Sequence, residues 1–330
     1  MKSRNALIAS AVAVAMLAAG CSSGSGGGAA KLKLEKTSIV VDAFPAIDSA
    51  GLYIAQMDGL FAAQGLNVTI VPVPTNGPPP TTQDLINGQV KGTYDITAGD
   101  YVTYIDDEVH GMAKLRIIAE ASFLQPNVLT LLVKANSSIS AVGQLRGKTV
   151  STNAQNDIGT LLIDSLLSEH GIASSEVSFD NNVAFPAVAS ALKSNAVSAS
   201  FAPEPFVSAD EETAGSQELA DLDQGSTQDF PIQGYAVTQA WAQKYPNTLK
   251  AFTTALSQGQ EIADTNRAAA EKAVEKYLDI APSVAAFISL PSFPLRVDAV
   301  RLQRVVNAML RFKLLPAQDQ NFKITSMIGS

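Results

Sequence analysis

The 330-residue sequence predicts an α/β protein built from two successive series of alternating strands and helices. Three observations carry that reading. Short β-branched runs alternate with amphipathic stretches of helical period as far as Thr238. The alternation pauses at Pro126 and restarts with the strongly apolar "NVLTLLVKA", and from Ala240 onward the chain is helical almost throughout. A hydrophobic fraction of 46% is enough to fill real cores in a chain of this length.

Ser38 to Phe44 is β-branched and apolar and stops at Pro45, as a strand does. A helix follows from about Ser49 to Asp58, closed by Gly59, with a further turn ending at Gly65. Asn67 to Val73 begins a second strand, which makes a β-α-β unit whose crossover implies parallel pairing. "TNGPPPTTQ", Thr75 to Gln83, can continue neither element, because consecutive prolines remove donors and fix the backbone. A short helix near Gln83 to Asn87, a strand at Tyr94 to Ala98, a helix at Asp100 to Val109 and a strand at Leu115 to Ala121 extend the first series.

In the second series the clearest helix runs from Asp157 to His170, with Ile158, Leu161, Leu162, Ser165 and Leu166 on one face and Gly171 as its stop. The strand "VSFDN", a helix from Pro186 to Ser194 and the strand "AVSASFA" form another β-α-β unit. "APEPF", an acidic helical stretch and a strand at Gly234 to Thr238 follow. The helical remainder, punctuated by Pro246, Pro282 and Pro294, has apolar faces at Leu249, Phe252, Leu256 and Ile262 and at Leu302, Val305, Val306, Met309 and Leu310. With no strands among them, these helices are expected to clad the existing sheets.

The first residues carry Lys2 and Arg4, then an apolar run from Ala6 to Ala19, then Gly20 and Cys21. Roughly 14 apolar residues fall short of the ~20 that span a bilayer, so the segment reads as an export leader, residues 1–20. Cys21 is the chain's sole cysteine, so no disulfide can form within one chain. Leu17-Ala18-Ala19-Gly20-Cys21 resembles the bacterial lipobox, which implies a lipidated Cys21 as the mature N-terminus. Residues 21–36 then read as a lipid-bearing, Gly- and Ser-rich tether.

Loss of Lys2 and Arg4 with the leader takes the formal charge from −8 to −10, which disfavours nucleic-acid partners. His110 and His170 are far apart in sequence and lack metal-ligand spacing, so no metal is expected. G-x-S-x-G, P-loop and G-x-G-x-x-G patterns do not occur, and neither a catalytic group nor a cofactor is expected.

Four stretches carry a family resemblance: "PAIDSAGLYIAQMDGLFAAQGLNVTI", "LRGKTVSTNAQNDIGTLLIDSLLSEHGI", "FPAVASALKSNAVSASFAPEPF" and "GYAVTQAWAQKYPNTLKAFTTALSQGQEIA". In this order they resemble the substrate-binding proteins of ABC importers in the group that takes aliphatic sulfonates, taurine, nitrate and thiamine pyrimidines. The resemblance implies a periplasmic-binding-protein type II fold: two α/β lobes joined by two crossing segments and closing on a ligand. Residues 37–126 with 239–330 are then the first lobe and 127–238 the second. It also implies a monomer on the extracytoplasmic face of the cell membrane, moored by its lipid beside an ABC permease. The alternatives are a pyrimidine-synthase type of enzyme on the same scaffold and a receptor that signals to a membrane partner. "INGQVKGTYDITAGD" departs from the family's Gly-Gln-x-Asp passage by extra residues around Lys91 to Thr93, which bears on the placing of Asp100.

In open parallel sheets ligands collect beyond the carboxyl ends of strands. That rule selects Phe44, Pro45, Asp48 and Ser49 after the first strand, Asp100 and Tyr101 after "YDITA", and Asn156 and Asp157 after "KTVSTN". The resemblance adds Glu204 of "EPF", equally open to a ligand contact and to a hinge or inter-lobe role, and Gln233. Asp48 or Ser49, Asp100 and Asp157 also stand where helix N-caps belong. The candidate loops hold four carboxylates and no Arg or Lys, which favours a neutral or amine-bearing organic ligand over an oxyanion.

Overall fold

The computed structural model describes residues 33–44, 46–71 and 81–328. The leader, Cys21, Pro45 and most of the proline-rich loop lie outside the described residues.

The first series gives β1 (Ser38–Ala43), α1 (Ala50–Met57), α2 (Leu60–Ala63), β2 (Asn67–Ile70), α3 (Thr82–Val90), β3 (Ile96–Asp100), α4 (Tyr101–Val109) and β4 (Leu115–Phe123). The second gives β5 (Leu129–Val133), β6 (Thr149–Ser151), α5 (Ile158–Glu169), β7 (Ser178–Asp180), α6 (Val188–Lys193), β8 (Ala199–Pro203), α7 (Phe206–Ala214) and β9 (Gln217–Asp221). β10 (Pro231–Thr238) is followed by α8 (Gln239–Lys244), α9 (Pro246–Thr265), α10 (Arg267–Leu278), α11 (Pro282–Phe287) and α12 (Ala299–Arg311).

These strands form two five-stranded sheets, ordered β2-β1-β3-β10-β4 and β7-β6-β8-β5-β9. β1 runs parallel to β2 and β3, as the crossover requires, and β6 runs parallel to β7 and β8. β10 is antiparallel to both β3 and β4, and β5 to both β8 and β9. The chain passes between sheets twice, at 124–128 and at 222–230.

Two expectations need correction. The strand at Gly234–Thr238, assigned from sequence to the second range 127–238, is an inner strand of the first sheet, where Tyr235 pairs with both Ala98 and Ala119. The reading of 21–36 as a tether does not hold at its end: Glu35 accepts hydrogen bonds from Asn247 N (3.0 Å) and Thr248 N (3.0 Å), placing a carboxylate at the N-terminus of α9. Lys36 Nζ reaches Asp95 at 2.5 Å.

The C-terminal helices do clad the first sheet. α9 lies on α1 with backbones almost touching, since a Cβ on Gly259 would overlap the carbonyl of Gly51. Gln260 Nε2, one residue on, donates to the carbonyls of Glu120 (3.0 Å) and Ala121 (2.8 Å) on β4. The buried Glu120 carboxylate is in turn gripped by Arg301 of α12, through Nε at 2.8 Å and Nη2 at 3.1 Å.

Candidate functional site

A cavity of about 230 Å³ opens where the carboxyl ends of β1, β3 and β6 face one another, and both sheets contribute to its wall. From the first come Phe44, Ala46, Asp48, Thr82, Gln83, Asp100, Thr103, Asp106, Ile232 and Gln233. From the second come Leu129, the 153–158 loop, Phe185, Phe201 and Pro203.

Local sequence explains how each polar group is held. Asp100 ends β3 and caps α4, accepting from Thr103 N (2.9 Å) on Oδ1 and Thr103 Oγ1 (2.8 Å) on Oδ2. Asp157 caps α5 in the same way, with Thr160 N at 3.0 Å and Thr160 Oγ1 at 3.2 Å, both on Oδ1. Asn156 before it takes φ 55°, a left-handed conformation that asparagine tolerates and that turns the chain from the β6 loop into α5. Asp48 is no cap. It sits in a single 3-10 turn, Ile47–Ser49, and its oxygens accept from Ser122 Oγ of β4 and from Gln233 Nε2 of β10 (3.3 Å). Thr82 accepts the Asp100 N–H at 3.1 Å, and the close fit depends on Gly99, where a Cβ would overlap the Thr82 side chain.

The wall carries four carboxylates, Asp48, Asp100, Asp106 and Asp157, and among the described residues no Lys, Arg or His lines it. Residue 45 and residues 72–80 contain no basic side chain either. Burial pushes the Asp48 carboxyl up to about 6, against the opposing pull of its Ser122 bond. Burial, reinforced by the charge of Asp100, pushes Asp157 up to about 7. Asp100 is raised by burial as well. The apolar wall is aromatic: Phe185 meets Phe44 edge-on at 5.8 Å and Phe201 at 5.9 Å, joining residues of the two sheets.

Six of the ten ligand-site candidates, Phe44, Asp48, Asp100, Asn156, Asp157 and Gln233, are therefore brought together. The extra residues 91–93 form a turn after α3 and leave Asp100 on the wall. Pro45 lies outside the described residues. Three candidates are placed elsewhere. Ser49 is buried behind the wall, its Oγ donating to Phe44 O at 3.1 Å. Tyr101 is fully buried in the core. Glu204 is 2% exposed and is not among the residues lining the cavity, although its neighbour Pro203 is; its carboxylate accepts from Ser208 N, Ser208 Oγ and Ser289 N, tying β8 and α7 to the segment after α11.

Sequence reasoning passed over Thr82, Gln83, Thr103, Asp106, Phe185 and Phe201. The signal for Thr82 and Gln83 was the Thr81-x-x-Asp84 capping box, which fixes where α3 starts. For Phe185 it was its place at the strand-to-helix turn after β7, which the same carboxyl-end rule covers.

Solved structures share this fold at low identity. The alkanesulfonate-binding protein SsuA from Xanthomonas axonopodis pv. citri, bound to MOPS, is 16% identical, with a TM-score of 0.72 over 89% of this chain and 99% of that one. The periplasmic nitrate-binding protein NrtA from Synechocystis PCC 6803 is 15% identical, with a TM-score of 0.69 over 87% of this chain and 84% of that one. The desulfurization enzyme DSZB is 14% identical, with a TM-score of 0.62 over 84% of this chain and 93% of that one. Comparison with curated proteins returns no match. The architecture is thus the periplasmic-binding-protein fold, two α/β lobes with two crossing segments. The sequence profile described as NMT1/THI5 like matches residues 46–270, well over half of the chain, and the chain belongs to that family.

Proposed function

We propose that this chain is an extracytoplasmic solute-binding lipoprotein of an ABC importer. It captures a small organic molecule between its lobes and delivers it to the permease, with Phe44, Asp48, Asp100, Asn156, Asp157 and Gln233 among the contacts. The observation that carries this reading is the cavity itself, walled by both sheets at their carboxyl ends. A solute bridging both walls stabilises the closed arrangement over the open one, and that difference in affinity is the whole mechanism. No bond is made or broken. The passages 124–128 and 222–230 serve as the hinge, and the lipid on Cys21 keeps the receptor beside its permease.

The family supports the reading, as do neighbours that by name bind alkanesulfonate and nitrate. The fold also serves an enzyme. Here, among the described residues, the cavity wall offers neither the cysteine nor the histidine that nucleophilic or acid–base chemistry most often uses.

The test is a thermal-shift panel of sulfonates, nitrate, amines, pyrimidines and purines. A true ligand at about 100 times its dissociation constant stabilises by about 2.7 kcal/mol. Deleting the gene should abolish uptake of the compound so identified. Normal uptake with a lost transcriptional response would assign the protein to sensing instead.

A further inference from the structure

The carboxylates, one orphaned amide oxygen and the size of the cavity together specify the charge of the solute. Building on the solute-binding reading above, we infer that the solute is a compact organic cation, an ammonium or amidinium on a small apolar body, whose N–H groups are shared among Asp100, Asp157 and Gln233.

Gln233 supplies the observation that is independent of the acidic residues. Its side chain is buried and lines the cavity, and its Nε2 is committed to Asp48 Oδ2 at 3.3 Å. That bond fixes the orientation of the amide, so Oε1 is the atom left over, and it has no hydrogen-bond partner among the described residues. A buried acceptor without a donor is costly, and here it belongs to a side chain whose residue lines the cavity. The missing partner is a donor.

Asp157 has an oxygen to spare on the same wall. Both hydrogen bonds it accepts from described residues fall on Oδ1, which leaves Oδ2 without one. Asp157 begins α5 beside the second sheet, and Asp100 begins α4 beside the first, so closing the lobes brings two negative charges together. A cation placed with them removes that repulsion only in the closed state, which is the preference a closing ligand requires. An anion would add to the repulsion, with no Lys, Arg or His on the described wall to offset it.

A bare metal ion does not fit. Among the described residues no three His, Cys, Asp or Glu side chains are grouped to hold one. The volume, about 230 Å³, lies below the ~300–1,000 Å³ of pockets for drug-sized molecules, so the body on the nitrogen is small. Phe44, Phe185 and Phe201 give that body an aromatic wall.

The titratable groups facing the nitrogen are Asp48 from the turn after β1, Asp100 and Asp106 from α4, and Asp157 from α5. All are acids, and burial raises Asp48 to about 6 and Asp157 to about 7, so binding of a permanent cation should strengthen from pH 5.5 to pH 8 as those two ionise.

The experiment uses the full chain and a small-metabolite library balanced among protonated amines, neutral compounds and anions. Its charge-matched core is benzylamine and benzamidine against benzyl alcohol, benzamide and benzenesulfonate. Expected hits by thermal shift and calorimetry are confined to the protonated compounds. Asp157→Asn and Asp100→Asn should each weaken such a hit about ten- to hundredfold, the range for a hydrogen bond to a charged group. Asparagine caps a helix as well as aspartate does, so loss through misfolding would show separately as a lowered Tm. Hits that are neutral or anionic, and that Phe185→Ala weakens, would overturn the cation while leaving a solute receptor. An absence of hits in every class would overturn both.

Discussion

Asp157 shows how one residue serves the helix and the site together. As a cap it saturates one oxygen; as a buried acid beside Asp100 it is held near pH 7, and Asp48 near 6. The consequence for stability has a definite sign. A carboxyl whose folded pKa exceeds its unfolded value of ~3.9 binds more protons in the native state, so its contribution is complete below about pH 4 and is lost as pH rises through 6 to 7. The unliganded protein should therefore melt at a higher temperature at pH 5 than at pH 8 in calorimetry. Asp157→Asn should flatten that dependence and stabilise at pH 8 by about 1–3 kcal/mol, since it keeps the cap and removes the charge. Glu204 behaves differently, because its three partners tie chain segments together and face no cavity. Glu204→Ala should cost about 1–3 kcal/mol in urea denaturation, the penalty for orphaned buried donors, with ligand affinity retained. The caps Asp100 and Asp157 were legible in sequence because capping is local: an acid just before an apolar helical run. The role of Asp48 was not, since its partners Ser122 and Gln233 are distant in sequence. Between the two roles open to Glu204, ligand contact or inter-lobe tie, the sequence could not choose for the same reason, with Ser289 eighty-five residues away.

Elements were legible where their period was strong. α5, α9 and α12 and the apolar strands β1 and β5 lie close to where hydrophobic spacing puts them. β9 was missed, because "QELAD" is acidic and lacks alternation; it is an edge strand, where charge is tolerated and discourages pairing with other chains. β10 was read as a strand but placed with the wrong sheet. Its pairing depends on β3 and β4, which sequence order does not reveal. At this scale the contact between α1 and α9 is the sharpest point of packing. Gly259→Ala should force the helices apart and cost about 1–3 kcal/mol, measurable as a shift in the urea midpoint. Gly99→Ala should displace Thr82 from the Asp100 N–H and lower ligand affinity more than it lowers Tm.

For the whole molecule, two sheets place their carboxyl ends around one acid-lined cavity, and the second crossing segment is held firmly. Arg304 of α12 donates to the carbonyls of Ser226, Gln228 and Asp229 and lies over the Phe230 ring at 5.4 Å. That grip gives the hinge a fixed footing, so Arg304→Ala should broaden the range of lobe separations and weaken solute binding. The two-lobed architecture was legible because alternation restarted after Pro126. The charge proposed for the ligand was only partly so, since the sequence exposed the acids but not the Gln233 oxygen that lacks a partner among the described residues. The central claim is that the lobes close on a solute held in this cavity. Small-angle X-ray scattering of the chain, with and without the compound that stabilises it most, tests it most directly. The account predicts a smaller radius of gyration with the compound and no such change in the Asp100→Asn, Asp157→Asn double variant. An identical scattering curve with saturating compound bound to the native chain would contradict it.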